Sequence, residues 1–364
     1  MLNKMVKPME TQAVKARDIQ TDNPAALLAA AERALAADDF HQAIDLLSTA
    51  NRCSRNPDIE RRLVEIRVRA AQRLAWPDVS WSAHYDNRFE SLASFPEITR
   101  DELDSGVLRD GMLGKGGLIV RGLMDEGVAG EMRENIARAF TSRKLLAEGL
   151  PRTEEAPWYV RSGAVAGDPI QFESSGAEKF TNTGSIWAVD SPPNAFRLIE
   201  FYRELGLPGI LHDYFGEDAL LSVRKWVLRC IPPNNGAQSG WHQDGRFLGE
   251  NIRTVNLWIA LSDCGHDAPA PGLDLVADNS RTIYETGTQG ADFDWTVGQG
   301  LVDAIGRKFP VVRPRFNVGD AVFFDHFNLH RTGFGEHDRE NRYAVESWFF
   351  AASTAPAKQR PLLF

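Results

Sequence analysis

Gly240-Trp-His-Gln-Asp-Gly245 is the stretch from which the fold is read, together with Gly319-Asp-Ala-Val-Phe-Phe-Asp-His-Phe-Asn-Leu-His330-Arg-Thr-Gly333 downstream. His242 and Asp244 are two residues apart, so on an extended strand both side chains face the same side. An imidazole and a carboxylate converging in this way supply two of the three ligands of a facial triad. Such a triad suits non-haem Fe(II) and leaves positions open for reactants. The spacing alone is a weak signal, because a second H-x-D, His84-Tyr-Asp86, occurs where no β framework surrounds it. The downstream company strengthens the first: one strand ends in His330, and Asn341-Arg342-Tyr-Ala-Val-Glu-Ser-Trp-Phe-Phe350 reads as a strand opening with an arginine.

Outward from this segment the pattern is β-rich. Strands are predicted at 219–231, 254–262, 272–277, 319–324 and 342–350, separated by Gly, Pro and Asn clusters. Short strands with turn-rich links indicate a sandwich or jelly roll, and no strand–helix alternation of the doubly wound kind is seen. Upstream, 117–121 reads as a strand, with helices at about 125–140 and at 194–206, the latter with Pro193 near its first turn. Gly111-Met-Leu-Gly-Lys-Gly-Gly117 lacks the G-K-[ST] ending of a phosphate loop and reads as a loop ahead of that strand.

The N-terminal part is of different character. Residues 1–22 are polar and unpatterned and read as a mobile leader. Residues 23–76 are rich in helix formers. Ala31, Phe40, Ala43, Leu47 and Ala50 recur at helical spacing around a break at Asp38-Asp39, and Leu63, Ile66 and Ala70 continue the pattern after Pro57. This resembles a tetratricopeptide helix pair. One unit falls short of the roughly three needed for a stable solenoid, so a cap on the main domain and a module that binds a protein partner or substrate are both open. Residues 77–110, with Pro77 and Pro96, read as a linker with one short helix, and 111–364 as the main domain.

Composition narrows the function classes. The 364 residues are 43% hydrophobic and 25% charged, with 41 Lys and Arg against 50 Asp and Glu, for a net charge of −9. This describes a globular protein without the basic bias of a nucleic-acid or polybasic membrane binder. No apolar run is long enough to span a bilayer, and the first residues lack an apolar signal core. Cys53, Cys230 and Cys264 are odd in number and form no C-x-x-C pair, as expected of reduced thiols in a cytoplasmic protein. No G-x-S-x-G elbow or H-E-x-x-H helix is found.

Further motifs keep a recognisable order. Pro232-Pro233 precedes the H-x-D. Asn256-Leu-Trp258-Ile-Ala-Leu261, Pro271-Gly-Leu-Asp-Leu275, the GDAVFF run, His330-Arg-Thr-Gly333 and Asn341-Arg-Tyr-Ala344 follow it. In these pieces the stretch from about 219 to 350 resembles the phytanoyl-CoA dioxygenase family of Fe(II)/2-oxoglutarate-dependent oxygenases. The opening Gly116–Met132, GGLIVRGLMDEGVAGEM, resembles that family's first strand and helix. The resemblance implies a mainly β fold with flanking helices: a double-stranded β-helix core (jelly roll, cupin-like) plus the N-terminal α-helical segment. It implies His242, Asp244 and His330 as catalytic iron ligands. Arg342 would hold the distal carboxylate of 2-oxoglutarate, with Thr332 as a hydroxyl partner and Trp258 lining that pocket.

The cofactors implied are Fe(II), 2-oxoglutarate as cosubstrate, and O2. The activity implied is hydroxylation of an unactivated C–H of a small-molecule, carrier-bound or peptide substrate, with release of succinate and CO2. Because Asp244 supplies the carboxylate that iron halogenases of this broad family lack, halogenation is disfavoured, while desaturation or cyclisation stays open. Val276-Ala-Asp-Asn-Ser-Arg281 departs from the family's usual Pro-Gly-Ser-His. His326 competes with His330, and Arg331 and Arg339 compete with Arg342. Two other function classes are open: a non-catalytic binding or sensor protein on the same fold, and a metal-dependent cupin-type isomerase or hydrolase, which would need no such arginine. The Gly- and Asp-rich 284–308 stretch is a candidate lid.

Overall fold

Asp38 and Asp39 interrupt the N-terminal helices as their sequence suggests. The computed structural model describes residues 23–77, 79–152, 154–161, 183–233 and 240–364. Residues 1–22, read above as a leader, lie outside the described residues. Helices α1 (Pro24–Ala36) and α2 (Phe40–Cys53) flank the break. Asp38 takes a φ of 55°, and Asp39 caps α2 by accepting from the Gln42 amide at 3.0 Å. Ala31, Phe40, Ala43, Leu47 and Ala50 are all buried. A third helix, α3 (Pro57–Arg73), follows. The chain divides into two compact units between Ile59 and Glu60. Most of α3 therefore belongs to the second unit, where Val64 and Val68 join the main core.

The second unit is built on sheets that are antiparallel except where Glu97–Thr99 pairs with Leu118–Arg121. The strands are β1 (Glu97–Thr99), β2 (Leu118–Arg121), β3 (Ser185–Trp187), β4 (Ala219–Ile231), β5 (Thr254–Ala260), β6 (Cys264–Gly265), β7 (Gly272–Val276), β8 (Val311–Val312), β9 (Arg315–Phe316), β10 (Ala321–Phe324), β11 (His330–Gly333), β12 (Arg342–Ala351) and β13 (Pro361–Leu363). One sheet has the order β1-β2-β10-β5-β12-β4-β13, with β3 also on β4; a second has the order β11-β7-β8, and β6 pairs with β9. His242 adds to the free side of β11 as an isolated antiparallel bridge with His330. The core of the first sheet is thus β4-β12-β5-β10, and that of the second is the His242 segment, β11, β7 and β8. The chain passes back and forth between them, with β7 and β8 consecutive in the second, and its first and last core strands, β4 and β12, pair. This is the double-stranded β-helix, or jelly roll.

Strand alternation explains how these sequences fill two interiors. On β5, Val255, Leu257 and Ile259 pack in the core shared with the helices, while Trp258 and Ala260 point between the sheets. On β12, Val345 and Phe349 take the helical side, and Ala344, Trp348 and Phe350 the inter-sheet side. The helix α5 (Glu126–Ala147), longer than the sequence pattern suggests, buries Ala129, Met132, Ile136 and Ala139. A helix at Pro192–Glu204 begins on its prolines and buries Leu198, Ile199, Phe201 and Tyr202.

Two expectations are corrected. The Gly-rich 111–117 stretch is not a loop, since Gly111–Lys115 completes helix α4 (Ser105–Lys115). Its glycines serve close approach: a Cβ on Gly111 would lie 2.8 Å from the Leu118 Cβ, and Gly116 ends the helix at a φ of 79°. The 284–308 stretch is likewise not all loop, because Gln299–Gly306 is helical and buries Val302 and Ile305. Among the described residues, no helix is long and apolar enough to cross a membrane.

Candidate active site

His242 and His330 are brought together by backbone pairing. Each donates its amide to the other's carbonyl, at 2.9 and 3.0 Å, and the ring centroids are 4.4 Å apart. The segment holding His242 is shorter than the strand expected of it, and Asp244 has helical backbone angles at the start of the turn Gly245–Leu248. The turn is pinned from the opposite side. Gln243 donates to the Thr282 and Phe327 carbonyls at 2.8 and 2.6 Å and accepts from the Tyr284 amide at 2.7 Å. Gly245 donates to the His326 carbonyl at 2.8 Å, where a Cβ would meet Ile283 at 2.4 Å. His242 and Asp244 therefore face one cavity, with Gln243 between them pointing away.

Donor chemistry at this point fits a divalent metal. One ligand atom from each of His242, Asp244 and His330 lies within 4.8 Å of the others. Nδ1 of His242 lies 2.9 Å from the Gly240 carbonyl and Nδ1 of His330 lies 3.1 Å from that of Asn328. A carbonyl only accepts, so both rings carry a proton on Nδ1, which leaves Nε2 as the nitrogen that a metal could take. Burial and the neighbouring His330 push the His242 imidazole down to about 4, so it is neutral at neutral pH. Burial alone would raise the Asp244 carboxyl, but the Lys225 ammonium and the two imidazoles hold it well below the usual carboxylate range. Two neutral imidazoles and one carboxylate are the donor set of a non-haem ferrous site.

The cavity in front of these ligands has a volume of about 360 Å³. Arg342, Thr332 and Trp258 line it, as do Lys225, Arg229, Asn256, Phe293, Trp295 and Glu346. Arg342 is only 2% exposed, yet no carboxylate among the described residues pairs with it. Its Nη1 donates to the Gly272 carbonyl at 2.6 Å, its guanidinium stands 5.6 Å from the Trp258 ring centre, and its Nε has no hydrogen-bond partner among the described residues. Burial pushes this guanidinium down to about 10. A buried cation with an unsatisfied donor fits an incoming carboxylate, for which arginine offers planar, paired donors.

The competing residues lie elsewhere. His326 is fully buried with both ring nitrogens engaged, Nδ1 at 2.8 Å from Thr254 Oγ1 and Nε2 at 3.2 Å from the Glu250 carbonyl. Arg331 bonds Asp274 at 2.9 Å and stacks over Trp241, outside the cavity. Lys225, Asn256, Glu346, Phe293 and Trp295 were not singled out from the sequence. For Lys225 the available signal was its position four residues before Arg229 on one strand, which puts both on one face. For Phe293 and Trp295 there was none, since both lie on an irregular segment. Arg229 bonds Glu346 through Nε and Nη2 at 3.1 and 2.6 Å, and Glu346 also accepts from Trp348 Nε1 at 3.0 Å.

Several solved structures are similar to part of this chain. AviO1 from Streptomyces viridochromogenes Tue57 is 19% identical, with 66% of this chain and 92% of that one covered, at a TM-score of 0.41. EctD from S. alaskensis, solved with 2-oxoglutarate and 5-hydroxyectoine, is 15% identical over 66% and 73% of the two chains, at 0.44. SnoK, a non-heme alpha ketoglutarate dependent carbocyclase from nogalamycin biosynthesis, is 16% identical over 69% and 85%, at 0.43. Comparison with curated proteins gives no match. The family described as phytanoyl-CoA dioxygenase (PhyH) matches residues 114–334, which span β2, the H-x-D and His330. With that match over more than half its length, the chain belongs to the phytanoyl-CoA dioxygenase family.

Proposed function

We propose that this chain is an Fe(II)/2-oxoglutarate-dependent oxygenase that hydroxylates an unactivated C–H of a small-molecule, carrier-bound or peptide substrate. The observation that carries the reading is Arg342, a buried cation with an unsatisfied Nε, in the same cavity as a His-Asp-His donor set. His242, Asp244 and His330 would hold the iron. When bound, Fe(II) and 2-oxoglutarate supply the oxidising chemistry with O2, yielding succinate, CO2 and the hydroxylated product.

The protein's own part is to bind, orient and exclude. Arg342 receives the distal carboxylate of the cosubstrate, with Thr332 as a hydroxyl partner and Trp258 as one wall. The two Nδ1–H donors keep the imidazoles turned with Nε2 toward the metal position. Trp258, Phe324 and Leu273 give part of the cavity an apolar lining that limits water. A pure binding protein would gain nothing from burying Arg342 unpaired, and an isomerase or hydrolase would not need it.

An anaerobic titration of the metal-free protein with Fe(II) and then 2-oxoglutarate tests this, read by the visible charge-transfer band of the chelate. The band should need both additions, vanish in His242→Ala and demand far more cosubstrate in Arg342→Ala. No band in iron-loaded wild-type protein sinks the oxygenase reading. The N-terminal helices support a subsidiary proposal, that the substrate is tethered to a peptide or protein that they help to hold. A truncation testing it should stop at residue 56, because Val64 and Val68 belong to the core of the second unit. It should raise KM for a tethered substrate while sparing iron and 2-oxoglutarate binding. A truncated protein that no longer folds would support a cap instead.

A further inference from the structure

Lys225 reaches the cavity because strand alternation on β4 turns Lys225 and Arg229 inward, while Trp226 and Leu228 pack on the helical side. Arg229 is matched to Glu346. That carboxylate is engaged on both oxygens, with Oε2 taking both guanidinium contacts and Oε1 the Trp348 indole. Glu346 acts on Lys225 through its charge, and no hydrogen bond joins the two. The ammonium instead bonds Asp244, with Nζ 2.5 Å from Oδ1, and this is its one hydrogen bond to a described residue. The other oxygen of Asp244, Oδ2, lies on the opposite side, 3.7 Å from Nε2 of His330. Asp244 is 2% exposed, so both oxygens are largely shielded from bulk solvent.

This division has a consequence for coordination. A carboxylate can offer a divalent cation one oxygen or two. A site that must accept a chelating oxoacid and O2 together needs three free positions, and a two-point carboxylate would take one of them. We infer that Lys225 is a positioning residue: by occupying Oδ1 of Asp244 it restricts the carboxylate to one-point ligation through Oδ2 and so keeps the third coordination position open. The inference rests on the oxygenase reading of the site, since only a metal that must take several reactants gains from it. It gives the ammonium a task distinct from neutralising a buried charge, which ligation to a dication would do without it.

Co(II) in place of iron tests this without turnover, because its ligand-field absorption reports coordination number and geometry. The full-length protein, Lys225→Met and Lys225→Arg are loaded with Co(II) alone, then titrated with 2-oxoglutarate. In Lys225→Met the spectrum before cosubstrate should differ from wild type, metal binding should persist, and 2-oxoglutarate should bind at least about tenfold more weakly, which is about 1.4 kcal/mol. Lys225→Arg, which keeps a donor to Oδ1, should restore the wild-type spectrum. A Lys225→Met spectrum identical to wild type overturns the inference even if 2-oxoglutarate binding weakens, since Lys225 would then act on the cosubstrate directly. Failure of Lys225→Arg to restore the spectrum counts against it equally. If Lys225→Met does not fold, Lys225→Ala carries the same readout and the same expectation. Absence of bound Co(II) bands in wild-type protein, or their persistence unchanged in Asp244→Ala, would instead bring down the oxygenase reading.

Discussion

Replacing Arg342 with methionine should make the protein more stable and less able to bind its cosubstrate. Burial lowers the guanidinium from the ordinary arginine range to about 10. Each tenfold change in proton affinity is worth about 1.4 kcal/mol, so keeping the charge in place costs the fold about 3 kcal/mol at neutral pH. The sign follows from the direction: the folded state disfavours the cation, so the penalty is full below about pH 10 and lifts as pH rises beyond it. Against this stand the hydrogen bonds to Gly272 at 2.6 Å and, weakly, Pro271 at 3.4 Å. Together they return about 1–2 kcal/mol. Methionine fills much of the volume without the charge, so Arg342→Met should gain about 1–2 kcal/mol. For a chain of this size that raises Tm by roughly 2–4 °C.

The same substitution removes the partner of the cosubstrate's distal carboxylate. A charge-assisted pair lost from a buried site costs about 2–4 kcal/mol, or roughly 30- to 1,000-fold in Kd. Thermal melts in the presence of Mn(II), with and without 2-oxoglutarate, read both quantities at once. Wild-type protein should show a ligand-dependent rise in Tm, and the variant a higher baseline with little further rise. A variant that melts several degrees below wild type and keeps the full 2-oxoglutarate shift would show that Arg342 is structural and does not bind the cosubstrate.

Other substitutions test the ligand choice and the frame. His326→Ala should lose about 2–3 kcal/mol by removing the bonds to Thr254 and Glu250, yet leave Co(II) affinity essentially unchanged by calorimetry. A loss of metal binding without unfolding would return His326 to contention as a ligand. Trp348→Ala, which empties a fully buried position between the sheets, should cost about 3–5 kcal/mol in urea unfolding. Gly116→Ala would place a Cβ 2.3 Å from the Asp278 carbonyl oxygen at a φ of 79°, so its melting point should fall by the equivalent of at least about 2 kcal/mol. An unchanged melting point would mean that this helix end and the Asp278 turn separate without cost.

The jelly roll was legible because its strands alternate. Val255, Leu257 and Ile259 against Asn256, Trp258 and Ala260 is a period-two pattern that two different cores satisfy. The H-x-D could be read because Gln243 interrupts two cavity-facing residues, although the backbone at Asp244 is a helical turn rather than a strand. Lys225 was not legible, since an ion pair between β4 and the Asp244 turn depends on which strands become neighbours. The wall formed by Phe293 and Trp295, whose rings stack at 5.4 Å, was also hidden, because an irregular segment carries no periodicity. The glycines at 111–117 misled for a related reason: punctuation suggesting a loop serves close helix–strand contact when Leu118 and Phe95 lie within 3 Å of a missing Cβ.

The pairing of His242 with His330 by two backbone hydrogen bonds also bears on how the protein is made. Strands β5 to β10 lie between these residues in the chain, so the bridge depends on long-range closure, among the slower events in folding a β protein. Until closure, no donor set exists. A redox-active ion would then be captured only by finished molecules, and nascent or misassembled chains would have nothing with which to hold it. Once captured, it would tie the two edges together more firmly than the hydrogen bonds do, and the last contact to form would become one of the hardest to undo.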